Sequence, residues 1–235
     1  MRLTGLIAVL LLIAGCSRAT VEEPEPSPTG PSAPTTSSAP TSAATTTPSS
    51  SKPSAPPAAG APIADVITWI EAGRPADPTG YHKATRDGET TDLIDDIAFT
   101  VPAGPRRVTT CMTDAESTDS ALACVVDLVN PPPQPQDIYG QWKGGWIDYG
   151  GNTLRVGSAH GDPGRFLHGA GAELPDGSSL SFGDYRCRAD RVGLFCVNYA
   201  HRSAVLFSPE GIGTFGCLQP VPPPADAAKL FSCAS

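Results

Sequence analysis

No apolar run in this chain reaches the roughly 20 residues that a membrane span requires. The longest, LTGLIAVLLLIAG at residues 3–15, is too short and stands alone. The expectation is a protein anchored to a membrane and not spanning it. Basic clusters are also missing. Lys and Arg number 16 against 24 Asp and Glu, for a net charge of −8. Arg106-Arg107 and the scatter from Arg186 to Arg202 are too sparse to attract a polyanion. That excludes nucleic acid and an anionic lipid surface as partners of the folded part. Histidine is scarce, at four residues (His82, His160, His168 and His201), with no His-x-x-x-His or His-Glu spacing for a metal. There is no Gly-x-Ser-x-Gly elbow, no Ser-x-x-Lys and no phosphate-cradling glycine loop. The expectation from these absences is no metal, no cofactor and no catalytic motif.

What is present begins at the N-terminus. Arg2 precedes the apolar run, and the run closes on small residues, the order of an export signal. The closure Ile13-Ala14-Gly15-Cys16 resembles the lipobox of bacterial lipoproteins. That resemblance implies cleavage before Cys16, then acylation of its sulfur and its new N-terminus, with palmitate-type chains. Residues 1–15 are then the signal peptide. A plain secretory signal, with Cys16 incidental, is the alternative.

Residues 16–60 follow Cys16 with Pro, Ser, Thr and Ala and almost no large apolar side chain after Val21. Such a segment buries too little surface to offset the entropy of ordering. It reads as a disordered stalk, partly polyproline-like. Its 44 residues after Cys16 would reach about 140 Å as polyproline II and about 40 Å as a coil. The threonines of 35–47 suit either O-linked sugars or an unmodified spacer.

Residues 61–235 have the length of one folded extracytoplasmic domain. They hold six cysteines: Cys111, Cys124, Cys187, Cys196, Cys217 and Cys233. An even number in an exported domain argues for disulfides. Metal ligation is the rival, but the spacings are wider than those of zinc knuckles. Folding RVTTCMTD and ALACVVDLV back about Ser117-Thr118 sets Cys111 opposite Cys124. A turn over residues 190–193, with Asp190 to start and Gly193 for the positive φ, sets Cys187 opposite Cys196. Opposed residues of a non-hydrogen-bonded pair lie within disulfide range. By exclusion Cys217 pairs with Cys233 around a Pro-rich connection that can enter no sheet interior.

One helix is expected, over residues 62–73, with Ile63, Val66, Ile67 and Ile70 on one face and Gly73 as its stop. Strands are expected at 97–101, 108–113, 122–129, 145–148, 153–157, 179–188, 194–199, 204–208 and 212–217. Gly150-Gly151-Asn152 and Pro209-Glu210-Gly211 read as turns. The fold class is mostly β (α+β): a small disulfide-stapled antiparallel sheet or sandwich with one N-terminal helix.

Few side chains carry chemistry. Asp92, Asp95 and Asp96 offer oxygen ligands of the kind calcium takes, without the alternating loop of a calcium site; a solvated loop is the simpler reading. The run YGQWKGGWIDYGG gathers Tyr139, Trp142, Trp146, Asp148 and Tyr149 among glycines. Trp142, Trp146, Asp148 and Tyr149 form a candidate ligand-binding patch if exposed. The simpler reading makes the tryptophans core anchors.

The phrases APIADVITWIEAGRPADPTGYH, LVNPPPQP, YGQWKGGWIDYGG, LSFGDYRCRAD and LFCVNYAHRSAV resemble those of LppI-like small cell-envelope lipoproteins of mycobacteria, over residues 62–233. The resemblance implies a lipid-anchored protein on the extracytoplasmic face of the cell membrane, tethered through Cys16. It brings no catalytic residue. The expected function is a non-enzymatic module that binds or scaffolds a cell-wall polymer or an envelope protein. The alternative is an extracytoplasmic hydrolase with a dispersed Ser/His/carboxylate triad, His201 or His168 serving as base.

Overall fold

The computed structural model describes residues 55–118, 121–159 and 163–234. All of these fall in one compact unit, Ser49–Ser235. Cys16, the signal peptide, the stalk up to residue 54 and His160 lie outside the described residues.

The chain enters through helix α1, Ile63–Glu71, then β1 at Arg74–Pro75. Next come β2 (Lys83–Arg86), β3 (Glu89–Asp92), β4 (Ala98–Pro102) and β5 (Val108–Met112). A single helical turn, α2 (Ala115–Thr118), leads to β6 (Leu122–Val126), β7 (Lys143–Tyr149) and β8 (Thr153–Ser158). After β9 (Ala172–Glu173) the chain forms β10 (Ser178–Phe182), β11 (Tyr185–Asp190), β12 (Gly193–Asn198), β13 (Ser203–Ser208) and β14 (Gly211–Gly216). It ends in β15 (Gln219–Val221) and β16 (Lys229–Ser232).

Two large sheets result, in the orders β1-β10-β11-β12-β13-β14 and β15-β16-β8-β7-β6-β5-β4-β9, beside a two-stranded sheet, β2-β3. Their inner faces share one core. Phe99, Leu122, Ile147 and Leu154 of the larger sheet pack with Leu180, Leu194, Val205 and Phe207 of the smaller. The architecture is a β-sandwich, and the mostly-β expectation holds. A third layer covers the smaller sheet. Val66, Trp69 and Ile70 of α1 pack on Phe195, Val197, Ala204 and Phe215. Strand β12 is therefore buried on both faces, which is why its sequence is a continuous apolar run.

Cations from β11 secure the end of α1. Arg188 Nη1 donates to the Trp69 carbonyl at 2.5 Å, and its guanidinium lies 3.8 Å from the Trp69 ring centroid. Arg186 reaches the Glu71 carbonyl at 3.4 Å. Both positive groups sit where the helix leaves its unpaired carbonyls. Gly73 is required here, because a Cβ would come within 2.9 Å of the Ser179 Cβ.

The cysteines pair as expected, Cys111–Cys124 and Cys187–Cys196 by hairpin register and Cys217–Cys233 by exclusion. The first two bridge neighbouring strands at the centre of each sheet and are fully buried. The third closes the chain's crossing between sheets, since β14 belongs to the smaller sheet and β16 to the larger.

Several expectations need correction. Residues 179–188 form no single strand: Gly183-Asp184 turns the chain, and Phe182 pairs with Tyr185. The segment 122–129 ends as a strand at Val126, before the proline loop. The hairpin β2–β3 was not expected, although Asp87-Gly88 marks it; both residues have positive φ, 52° and 86°. β15 and β16 were also not expected. The prolines confine β15 to a sheet edge, where a missing N–H costs no ladder bond.

Candidate functional site

The glycine- and aromatic-rich run proves to be architecture. Trp146 is 5% exposed and Tyr149 fully buried, so neither belongs to an exposed patch. Trp146 meets Phe166 edge-on at 5.2 Å. Trp142 is half-buried; its indole N–H donates to the Pro132 carbonyl at 2.9 Å, and its ring occupies the space a Cβ at Gly157 would need. Asp148, half-buried, pairs with Arg165 at 3.2 Å. The glycines let the proline loop and the rings approach the backbone: a Cβ on Gly144 would strike Pro131 and Pro132. Of the candidate ligand-binding residues Trp142, Trp146, Asp148 and Tyr149, the structure thus buries Trp146 and Tyr149, while Trp142 and Asp148 stay half-buried against the proline loop and Arg165. Tyr139, which is 90% exposed, stands apart from them.

Polar groups converge instead at one end of the sandwich. A cleft of about 340 Å³ opens there, lined by Asp95, Ile97 and Thr113 from the larger sheet's end and by Phe182, Asp184, Tyr185, Asn198 and His201 from the smaller. Two-residue turns build it. Gly183-Asp184 joins β10 to β11, and Gly151-Asn152 joins β7 to β8, where the Gly150 N–H donates to Thr153 O at 3.0 Å. Gly183 and Gly151 have φ of 47° and 86°, which an L side chain resists. Asn198, only 4% exposed, holds the β12–β13 turn by accepting the His201 N–H at 3.1 Å. On the opposite wall Asp96 Oδ1 accepts from the Thr113 hydroxyl at 2.8 Å and from the Ala115 N–H at 2.9 Å. Those bonds fix the loop that presents Asp95.

Beneath the cleft lies an aromatic floor. Phe182 and Tyr185 stack at 5.6 Å, and Tyr185 meets Tyr149 edge-on at 5.6 Å. The Tyr185 hydroxyl donates to Tyr149 O at 2.9 Å. The Tyr149 hydroxyl lies 2.7 Å from Ser203 Oγ and donates to Ser203 O at 2.9 Å, while Ser203 Oγ donates to Gly151 O. Burial pushes both phenols above the ordinary tyrosine range, Tyr149 furthest. A neutral phenol that resists ionisation stabilises the fold below pH about 10 and loses that contribution as pH rises further, because the unfolded phenol releases its proton first. Unfolding free energy should therefore be flat from pH 7 to 9 and fall above 10. Tyr149→Phe should flatten that fall and cost about 1–2 kcal/mol at neutral pH. Urea unfolding across the pH series measures both.

The histidines are dispersed. The His82 ring bonds the Asp96 carbonyl at 2.9 Å. His168 and His201 are exposed, and among the described residues neither ring is hydrogen-bonded to a hydroxyl or a carboxylate. Ser203, the serine nearest His201 in sequence, is buried and committed to Tyr149 and Gly151. Among the described residues no group of three or more His, Cys, Asp or Glu side chains is placed to hold a metal ion. No helix among them is long and apolar enough to cross a membrane.

The cleft was missed in the sequence because its residues come from five separate segments. Its one local signal was Gly183-Asp184 inside an apparent strand. Comparison with protein families, with curated proteins and with solved structures returns no match.

Proposed function

We propose that this chain is a lipid-anchored extracytoplasmic module that binds a cell-envelope partner and performs no chemistry on it. The observation that carries the reading is the cleft. It gathers hydrogen-bonding side chains (Asp95, Thr113, Asp184, Asn198 and His201) above the aromatic pair Phe182 and Tyr185, with no bonded nucleophile–base relay. Acceptors and donors around an aromatic floor suit a hydroxyl-rich ligand, whose apolar ring face covers the aromatics while its hydroxyls meet the rim. A cell-wall polysaccharide has that chemistry. The volume sits at the small end of the ~300–1,000 Å³ typical of ligand pockets, which suits one or two sugar units of a longer polymer. The tether supports the same reading, since it confines the domain to a shell near its anchoring surface and raises the local concentration of both partners.

Co-sedimentation of the purified full chain with insoluble cell-wall polymer tests this. The protein should pellet with the polymer, and Asp184→Ala with His201→Ala should cut the bound fraction several-fold without shifting the thermal midpoint. No co-sedimentation overturns the reading. Release of soluble fragments from the polymer by the purified protein would establish the hydrolase instead.

A further inference from the structure

The two large sheets have four edge strands, and three of them are blunted. β1 is two residues long and contains Pro75; β9 is two residues long and ends in Glu173; β15 contains Pro220 and runs into Pro222, Pro223 and Pro224. β14 is different. Gly211-Ile212-Gly213-Thr214-Phe215-Gly216 is six residues long and pairs along its whole length with β13. It has no proline and no charge. Natural sheets seldom leave such an edge bare, because its unpaired N–H and C=O groups template another strand.

The outward groups can be identified. The Cys187 and Cys196 Cα atoms are 4.0 Å apart, which marks a non-hydrogen-bonded pair. The Tyr199 N–H bond to Asp184 O at 2.9 Å fixes the same phase three residues along. Alternation then carries across the sheet. Cys196 bonds Val205, Val205 faces Thr214 without bonding it, and Thr214 turns its N–H and C=O outward together with Ile212 and Gly216. None of these six groups has a partner among the described residues.

We propose that β14 pairs antiparallel with β14 of a second copy, about a two-fold axis through Thr214. In that register Thr214 faces its own counterpart, and Ile212 faces Gly216 in both directions. All six outward groups are then satisfied, the self-complementarity a two-fold interface demands. The charge pattern permits this partner. The chain carries a net −8, and this neutral strand lets two copies meet without opposing like charges along the seam. The entry of the chain agrees. An antiparallel seam places its two-fold axis perpendicular to the sheet, so α1 of both copies lies on the same face. Ala55 and Pro57 line a cavity on α1 beside Asp65 and Trp69, so the first described residues of both copies lie on that one face.

The test uses the full chain in mild detergent, followed by sedimentation velocity over a concentration series. The wild type should show a two-copy species that dissociates on dilution. Thr214→Pro removes an outward N–H and no bond to β13, so it should abolish that species while leaving the thermal midpoint within a few degrees. Gly213→Pro removes a bond within the sheet and should lower the midpoint sharply. Amide exchange on the wild type supplies a reading free of any folding defect: Ile212, Thr214 and Gly216 should become at least tenfold slower as concentration rises. A chain that stays single at every concentration overturns the proposal. So does a two-copy species that survives Thr214→Pro, or exchange at these three amides that ignores concentration.

Discussion

Replacing Cys187 and Cys196 together by alanine is expected to lower the unfolding free energy by about 3–5 kcal/mol, and the same change at Cys111 and Cys124 by a similar amount. The separations are 9 and 13 residues. In the chain-entropy model a loop of about 15 residues contributes around 3 kcal/mol, and shorter loops slightly less. Both pairs also fill space in the shared core, so their removal leaves voids that add to the loss. Cys217–Cys233 closes a similar separation, 16 residues, at the half-buried crossing between sheets. Its loss should cost less, because little packing goes with it. A domain of this size has only about 5–15 kcal/mol in total. Removing both central pairs should therefore leave too little stability to fold at 37 °C. Urea unfolding of the three double variants measures the order, and equal losses at all three sites would defeat the packing half of the argument. Reduction gives an independent check: without denaturant, Cys217–Cys233 should open first.

The central hairpins were legible in the sequence because their disulfides and alternation reinforce each other. Once Cys187 is set opposite Cys196, period-two burial places Leu194 and Phe207 on the core face, as found. The continuous run of β12 was legible for the opposite reason, since α1 covers its outer face. What failed to show was short or long-range. The parallel bridges of β1 and β9 span two residues each, too few for any period, and their partners lie far along the chain. The break at Gly183-Asp184 was masked by good strand formers on both sides. The aromatic run misled because composition does not reveal which rings a glycine admits to the interior. The Trp146 ring packs where a Cβ on Gly164 would stand, and the Trp142 ring where a Cβ on Gly157 would stand. The cleft needed the fold before it could exist, because no two of its walls are neighbours in sequence.

Cys16→Ala is expected to abolish acylation and to move most of the protein out of the membrane fraction. The argument begins with the sequence order: Arg2, an apolar run that ends by residue 15, small residues, then Cys16. Burial of an acyl chain contributes about 0.8 kcal/mol for each methylene, yet one chain binds only marginally. Two or three chains on one cysteine make dissociation slow, so the wild type should resist high salt and carbonate extraction. Salt resistance separates this anchor from charge, because an acidic domain gains nothing from an anionic surface. Mass spectrometry of the mature N-terminal peptide gives the direct reading. The peptide should begin at Cys16 and carry acyl mass. A free Cys16 thiol in the mature protein, or a variant that partitions as the wild type does, would remove the anchor and with it the tether on which the binding proposal leans.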